Sequence, residues 1–260
     1  MTTSILVAMR LAIASAVMIP LLALRGKLQH VAKRDVLLFM ALAFGEPFLY
    51  SVCETTGISR IDGSVASIIT ATIPLFLPFA MALVYKERLR WVTFIGLVVS
   101  FVGLGMMVFD RNMHLTIDPV GMLLLFGSVA VAIAYTLILV KLVHRYSPVT
   151  ITVYQNFIGL FYFLPLVLVF DGGELAQLSY SPKMIGLVAF LGLLCSTLAY
   201  VFFNRGVRHI GATAATVYNN MIPISSLVLA MMLGQEGFQW ARVAGMAVAV
   251  LGLFIAQLKN

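Results

Sequence analysis

The sequence is poor in charged residues. Asp, Glu, Lys and Arg make up 10% of its 260 residues, against about 25% in an average soluble domain. Hydrophobic residues make up 62%, which is more apolar surface than a soluble core of this size can bury. The composition therefore excludes an ordinary soluble domain and predicts a protein whose solvent is the lipid bilayer.

Residues that build disulfides, metal sites and catalytic centres are also scarce. The two cysteines, Cys53 and Cys195, lie in apolar runs, which predicts neither a disulfide framework nor a metal site. The four histidines fall in predicted loops without the spacing of metal ligands. The sequence has neither a nucleophile elbow nor a phosphate-binding loop. We therefore predict that the protein is not an enzyme and that it uses no cofactor and no metal.

Apolar runs long enough to cross a bilayer as helices fill most of the chain. The gaps between the runs are short and hold nearly all of the charges. The sequence therefore predicts an all-α, multi-pass membrane protein without a soluble domain. The nine predicted spans are residues 4–24, 36–54, 63–85, 91–109, 119–142, 149–170, 183–203, 212–233 and 241–257.

The distribution of lysine and arginine predicts the orientation of these spans. If the loop after the first span is cytoplasmic, 12 of the 17 basic residues fall on the cytoplasmic side. The N-terminus of the chain then lies outside and the C-terminus inside. The net charge of +7 is therefore a topology signal, and we predict no nucleic-acid partner.

The chain repeats itself after a shift of 149 residues. The third and fourth spans match the eighth and ninth, so the period is five helices. Because five is odd, the two copies have opposite orientations in the membrane. Inverted repeats of this kind are typical of secondary transporters, whose substrate site lies near the midplane between the repeats. The identical pairs include Gly57 and Gly206, Pro74 and Pro223, Trp91 and Trp240, Gly96 and Gly245, and Gly103 and Gly252.

The fifth span, residues 119–142, has no counterpart in the first half, because that counterpart would precede Met1. We therefore expect a repeat of five transmembrane helices over residues 1–110 and 111–260, with nine helices present and the first of ten missing. A reading frame that extends upstream by about 30 residues would supply the missing span and its flanks. A true nine-helix protein is the alternative, which an in-frame stop directly before Met1 would favour.

Two stretches, residues 63–108 and 204–257, share one order of features. In each, small residues begin a helix, a proline lies mid-helix, and a glutamate at a short turn precedes a helix with two glycines seven residues apart. These stretches resemble the repeat unit of EamA-type transporters of the drug/metabolite transporter superfamily. Residues 9–24, MRLAIASAVMIPLLAL, resemble the second helix of that family, with its arginine at Arg10.

The resemblance covers essentially the whole chain and implies a multi-pass transporter of the cytoplasmic membrane. Its expected partners are membrane lipid and a small organic metabolite, such as an amino acid or a drug-like solute, and a homodimer remains open. We expect efflux by alternating access. A polytopic membrane enzyme, or a membrane subunit that does not transport, is the alternative, and substrate flux in proteoliposomes separates a carrier from both.

The paired prolines, Pro74 and Pro223, stand mid-span in equivalent helices. A proline leaves the carbonyl four residues before it without its helical partner. Those carbonyls belong to Thr70 and Asn219, which are themselves equivalent under the repeat. We interpret the prolines either as hinges beside polar atoms that line a cavity or as static kinks that aid packing.

Small and polar residues elsewhere in the spans suggest packing seams and a cavity wall. The glycine pairs Gly96–Gly103 and Gly245–Gly252 predict close helix packing, between the repeats or between protomers. Asparagines in hydrocarbon need hydrogen-bond partners, which cavity lining or contacts between helices would supply. The proposed lining residues besides Thr70 are Tyr50, Tyr154, Tyr200, Tyr218, Asn219 and Asn220, with Gln155, Asn156 and Asn204 as weaker candidates.

Glu46 is a carboxylate near the middle of the apolar run 36–54, directly before Pro47. An ionisable group at this depth indicates function and needs a partner. Arg10 is the only basic residue well inside a span. At 1.5 Å per residue, Arg10 lies about 9 Å and Glu46 about 12 Å from the outer ends of their helices. We therefore predict that the two form an ion pair, which either joins the helices or opens when substrate or a proton competes for it.

Overall fold

The computed structural model of the chain describes residues 2–61, 63–88, 90–108, 118–177, 181–221, 224–225, 228, 232 and 240–257. Within these ranges the chain is nearly all helical and contains no strand. The helices are α1 (Thr3–Leu24), α2 (Val36–Ala43), α3 (Tyr50–Ile58), α4 (Gly63–Thr70), α5 (Ile73–Tyr85), α6 (Trp91–Val108), α7 (Pro119–Val143), α8 (Pro148–Phe170), α9 (Gly172–Gln177), α10 (Pro182–Leu193), α11 (Tyr200–Ile210), α12 (Ala212–Val217) and α13 (Trp240–Gln257).

Long apolar helical segments dominate the part of the chain that the structure describes. In that part, five segments are long and apolar enough to cross a membrane, and shorter apolar helices lie among them. The prediction of an all-α membrane protein is therefore confirmed. The five segments are Thr3–Leu24, Lys33–Ile58, Pro119–Val143, Pro148–Phe170 and Pro182–Ile210.

Two of these segments contain a wide, π-helical turn of six residues. The first, Phe44–Leu49, joins α2 to α3, and the second, Leu194–Ala199, joins α10 to α11. In the first turn Pro47 has no N–H to donate, and the backbone of Glu46 leaves the helical region at φ −138° and ψ 126°. Such turns interrupt the regular hydrogen bonds of a helix and are frequent at functional sites.

The predicted span 63–85 is also interrupted, just before Pro74. Helix α4 ends at Thr70 and α5 begins at Ile73, with Pro74 in its first turn. The carbonyl of Thr72 accepts hydrogen bonds from the N–H groups of the first turn of α5. The break therefore lies where the proline predicts it, whereas Pro223 lies outside the described residues.

The chain forms two compact units. Unit 1 contains Met1–Thr55 and Ala134–His209, and unit 2 contains Thr56–Ile133 and Ile210–Asn260. Each unit takes residues from both halves of the sequence.

Helices α6 and α13 of unit 2 approach each other backbone to backbone. A Cβ atom on Gly96 would overlap the backbone of Ala256, and one on Gly103 would overlap the backbone of Ala249. The reverse contact is equally close, since a Cβ atom on Gly252 would overlap the backbone of Ser100. Because residue numbers rise along α6 as they fall along α13, the two helices are antiparallel. The predicted glycine packing seam lies between these two helices of one chain.

In unit 1, α1 packs chiefly against α8 and α10, and α2 packs against α8. Buried side chains of Leu11 and Phe163 belong to the apolar core that α1 and α8 share. Small residues allow close contacts here as well: a Cβ on Gly159 would touch the ring of Pro47, and one on Gly192 would touch the backbone of Arg10. Helix α8 therefore lies against the first wide turn, and α1 lies against α10.

A buried carboxylate ties two connections of unit 1 together. Asp35, at the start of α2, is 2% exposed. It forms an ion pair with Arg145 and accepts a hydrogen bond of 2.8 Å from the Tyr146 hydroxyl. The same hydroxyl accepts the N–H of Ala32 at 3.1 Å. Asp35 thus joins the α1–α2 connection to the α7–α8 connection, both of which the charge distribution predicts to be cytoplasmic.

We expect Asp35→Asn to lower the free energy of unfolding by about 2 kcal/mol, because hydrogen bonds to a charged group contribute about 1.5–3 kcal/mol. Denaturation of the purified protein in detergent measures the change. The control is Arg34→Gln, since Arg34 is 80% exposed and its Nε lies 4.0 Å from Asp35. We expect that control to change stability by less than about 1 kcal/mol. Equal effects of the two substitutions would contradict the role of the buried contacts.

Candidate functional site

Glu46 lies in the first wide turn of unit 1 and is held by two side chains from other helices. The hydroxyl of Tyr200 donates to Glu46 Oε1 at 2.8 Å, and Gln155 Nε2 donates to the Glu46 backbone carbonyl at 2.9 Å. The hydroxyl of Tyr135 in turn donates to Gln155 Oε1 at 3.4 Å. The wide turn makes this possible, because it takes the Glu46 carbonyl out of the regular helical pattern.

Arg10 is held at the second wide turn. Its Nε donates to Ser196 Oγ at 3.1 Å, and Asn156 Nδ2 donates to the Ser196 carbonyl at 2.7 Å. The guanidinium of Arg10 also lies within electrostatic range of the Tyr200 hydroxyl, the group that binds Glu46. A carboxylate, a phenol and a guanidinium therefore occupy one region inside the apolar helices of unit 1.

Several polar atoms of this region have no hydrogen-bond partner among the described residues. Arg10, Glu46 and Tyr200 are each partly accessible rather than fully buried. Among the residues that the structure describes, no group hydrogen-bonds the two terminal nitrogens of Arg10 or the second carboxylate oxygen of Glu46. The region therefore offers both donors and an acceptor to a bound molecule.

The predicted ion pair between Arg10 and Glu46 is wrong. No ion pair joins the two within the described ranges, where Arg10 binds Ser196 and Glu46 binds Tyr200. The prediction assumed that α1 and α2 are neighbours because their connection is short. Instead, α1 packs chiefly against α8 and α10, so similar depth in the membrane does not bring the two side chains together.

The other proposed residues of unit 1 have separate partners. The hydroxyl of Tyr50 donates to Glu54 Oε1 at 2.7 Å, one helical turn further along α3. The ring of Tyr154 packs edge-on against Phe39, with 5.7 Å between the ring centroids. Tyr154 therefore belongs to an aromatic contact, and no described hydrogen bond ties it to Glu46.

The remaining proposed residues lie in unit 2. The hydroxyl of Thr70 donates to the Ala66 carbonyl at 3.1 Å, within α4. Asn220 is buried, and its Nδ2 donates to Ser100 Oγ of α6 at 3.3 Å. Tyr218 and Asn219 occupy the short 3₁₀ turn after α12, where Tyr218 is exposed and Asn219 is partly buried. Asn220 thus makes a contact between helices, which was the alternative to cavity lining.

Sequence reasoning missed Ser196, Tyr135 and Glu54, and it gave Gln155 and Asn156 less weight than their contacts justify. The repeat carries the signal that could have found some of them. A shift of 145 residues pairs Arg10 with Gln155, and a shift of 150 residues pairs Glu46 with Ser196. In the structure, each of the two long polar side chains, Arg10 and Gln155, donates to the wide turn of the opposite half.

Similarity to known proteins is extensive. The chain matches the model of the EamA-like transporter family over residues 1–109 and 119–257. The uncharacterized transporter YetK of Bacillus subtilis is 24% identical over 97% of this chain and 77% of its own length. An uncharacterized transporter of Archaeoglobus fulgidus is 27% identical over 89% of this chain and 81% of its own length.

A solved structure described as a crystal structure of a protein has a similar fold. It aligns with a TM-score of 0.80 and 17% identity, over 99% of this chain and 89% of the other. At that identity the likeness concerns the fold alone. The described residues include five helical segments that are long and apolar enough to cross a membrane. Since the family model also matches both halves of the sequence, this chain belongs to the EamA-like transporter family and is an integral, multi-pass transporter of the plasma membrane.

Proposed function

We propose that this transporter moves a small organic metabolite out of the cell by alternating access, with Glu46, Tyr200 and Arg10 at its substrate site. The observation that carries the proposal is the group of charged and phenolic side chains inside the apolar helices of unit 1. Charged side chains at such depth are costly and mark functional pathways. Since Glu46 has no cationic partner among the described residues, a substrate or a proton is the expected counter-charge.

We further propose that the two halves of the sequence are inverted repeats with a period of five helices. The antiparallel contact of α6 with α13 supports this, because helices equivalent under an inverted repeat run in opposite directions. The two wide turns at equivalent positions support it too. A homodimer remains a prediction, as does cavity lining by Tyr50, Thr70, Tyr154, Tyr218 and Asn219.

The experiment that tests the function compares intracellular and extracellular metabolites of cells with and without the intact gene. We expect one class of organic metabolite to accumulate inside cells that lack the gene. Proteoliposomes with the purified protein should then exchange that metabolite. Unchanged metabolite pools together with no exchange in proteoliposomes would sink the proposal and favour a subunit that does not transport.

Pro74 tests whether alternating access uses the break between α4 and α5. We expect Pro74→Ala to lower transport per folded molecule several-fold while folded yield falls less, because a continuous helix would replace the bend. Pro78→Ala is the matched control, since Pro78 lies inside α5, one turn beyond the break. Uptake assays normalised to monodisperse protein measure both. Wild-type transport by Pro74→Ala would show that the kink is only architectural.

A further inference from the structure

Glu54 is a second glutamate in the same helical segment as Glu46, and the proposed substrate site does not use it. It lies on α3, partly buried, and accepts the hydroxyl of Tyr50 at 2.7 Å. Within the described residues, no lysine, arginine or histidine forms an ion pair with it. An ionisable side chain in a membrane segment without a cationic partner is a candidate functional residue.

Tyr50 lies between the two carboxylates along the segment. It is four residues from each of them. Because Tyr50 and Glu54 both lie on α3, this spacing makes them neighbours on one helix, whereas Glu46 lies in the wide turn before α3. Both carboxylates act on the Tyr50 phenol electrostatically, and Glu54 also repels Glu46 directly. The Tyr50 phenol acts on Glu54 through its hydrogen bond, and Glu46 is the other carboxylate with which Glu54 interacts.

The position of Glu54 indicates which side of the membrane it serves. Under the predicted orientation, the segment Lys33–Ile58 runs from the cytoplasmic side to the outside. Glu54 is four residues from the outer end of this segment, whereas Glu46 is about 12 Å deeper at 1.5 Å per residue. A proton that arrives from outside therefore meets Glu54 before Glu46.

We propose that Glu54, held by Tyr50, is the carboxylate that takes up protons from the external side and supplies them to Glu46. A proton from external water binds the Glu54 carboxylate and later leaves its carboxyl group for a water molecule, and water carries a proton over the remaining distance of about 12 Å to the carboxylate of Glu46. Glu54 returns to the ionised form, to which the Tyr50 hydroxyl donates, and no other bond changes. Tyr50 is a positioning residue in this step. The proposal rests on the proposed function, because it gives the transporter a route by which an external proton can exchange with its substrate at Glu46.

Side-specific chemical labelling tests whether Glu54 is accessible from the outer side of the membrane, and it needs no substrate. A water-soluble carbodiimide with glycine ethyl ester is added outside right-side-out vesicles, or trapped inside them, and modified glutamates are identified by peptide mass spectrometry. We expect external reagent to modify Glu54 much more than trapped reagent does. Modification of Glu54 only from the inside, or from neither side, would overturn the proposal.

Variants test the coupling between the two carboxylates. Dicyclohexylcarbodiimide, which enters membranes and modifies protonated carboxyl groups, is applied over a pH series. We expect Glu54→Gln to shift the pH profile of Glu46 modification, because the Glu54 carboxylate repels the Glu46 carboxylate. Tyr50→Phe should shift the profile of Glu54. Glu174→Gln, in the short helix α9, should leave both profiles as in the wild type.

An unchanged Glu46 profile in a folded Glu54→Gln protein would overturn the coupling. If a variant does not fold, the labelling of the wild type still decides the question. The outcomes are also distinct from failure of the proposed function. Wild-type transport by Glu46→Gln would refute the substrate site, whatever the labelling shows, whereas failed labelling of Glu54 would leave that site intact.

Discussion

Gly96→Ala should destabilise the transporter by about 3 kcal/mol, the upper part of the range for overpacked cores. The added methyl group would overlap the backbone of Ala256, which cannot move aside as a flexible side chain can. To accommodate it, α6 and α13 would have to separate along their length. Denaturation in detergent, followed by circular dichroism, measures the loss.

The matched control lies in the same helix. A Cβ on Gly105 would meet no atom within 4 Å, so Gly105→Ala should be neutral or slightly stabilising. Gly252→Ala, across the seam, should behave like Gly96→Ala because its Cβ would overlap Ser100. Equal stability of Gly96→Ala and Gly105→Ala would contradict the close approach of the two helices.

The seam has this large expected effect because the bilayer changes what holds helices together. Lipid tails are as apolar as leucine side chains, so burial of apolar surface does little to drive association of helices in a membrane. Dispersion contacts and close backbone approach remain. Ser100 and Asn220 add a buried hydrogen bond of 3.3 Å to the same region of unit 2.

Glu46→Gln should lower transport by about tenfold or more, which corresponds to about 1.4 kcal/mol of lost interaction. The substitution keeps the size of the side chain and an oxygen that can accept from Tyr200, but it removes the charge. The expected loss therefore comes from the missing counter-charge for a substrate or proton. Proteoliposome uptake of the metabolite found by metabolite profiling, at several pH values, measures it.

Two further variants make the result specific. Arg10→Gln removes the other charge of the site and should lower transport as well, whereas Glu174→Gln changes a carboxylate of α9 and should not. Monodisperse elution of every variant controls for folding. A stable Glu46→Gln protein that transports with the wild-type pH profile would show that the carboxylate has no role in transport.

The sequence alone determines that this is a membrane protein and where its helices lie along the chain. Composition and the length of apolar runs are local properties, and they placed most of the described helices within a few residues of their structural bounds. The segment that begins at Pro182 continues to Ile210, beyond the predicted end at residue 203, and the end of the predicted span 212–233 lies outside the described residues. Proline chemistry is local as well, so the interruption before Pro74 was predictable. The glycines of the seam were recognised as packing residues, because small residues seven apart share one helix face.

The partners of the site residues depend on the tertiary structure. Depth in the membrane follows from residue count, but the direction of a side chain around the helix axis and the identity of neighbouring helices do not. The sequence marks Glu46 as unusual, yet its partner is Tyr200, which lies 154 residues away in the chain. Asp35 and Arg145, 110 residues apart, likewise meet only through folding.

Ser196 is a site residue that the sequence alone does not reveal. A serine in an apolar helix carries no signal of its own, because it can satisfy its hydroxyl within the helix. It becomes a partner of Arg10 because α1 packs against α10 and the wide turn that follows. Composition and periodicity thus determine which segments enter the membrane, whereas helix packing decides which polar groups meet there, since only packing sets the distances over which hydrogen bonds and charges act.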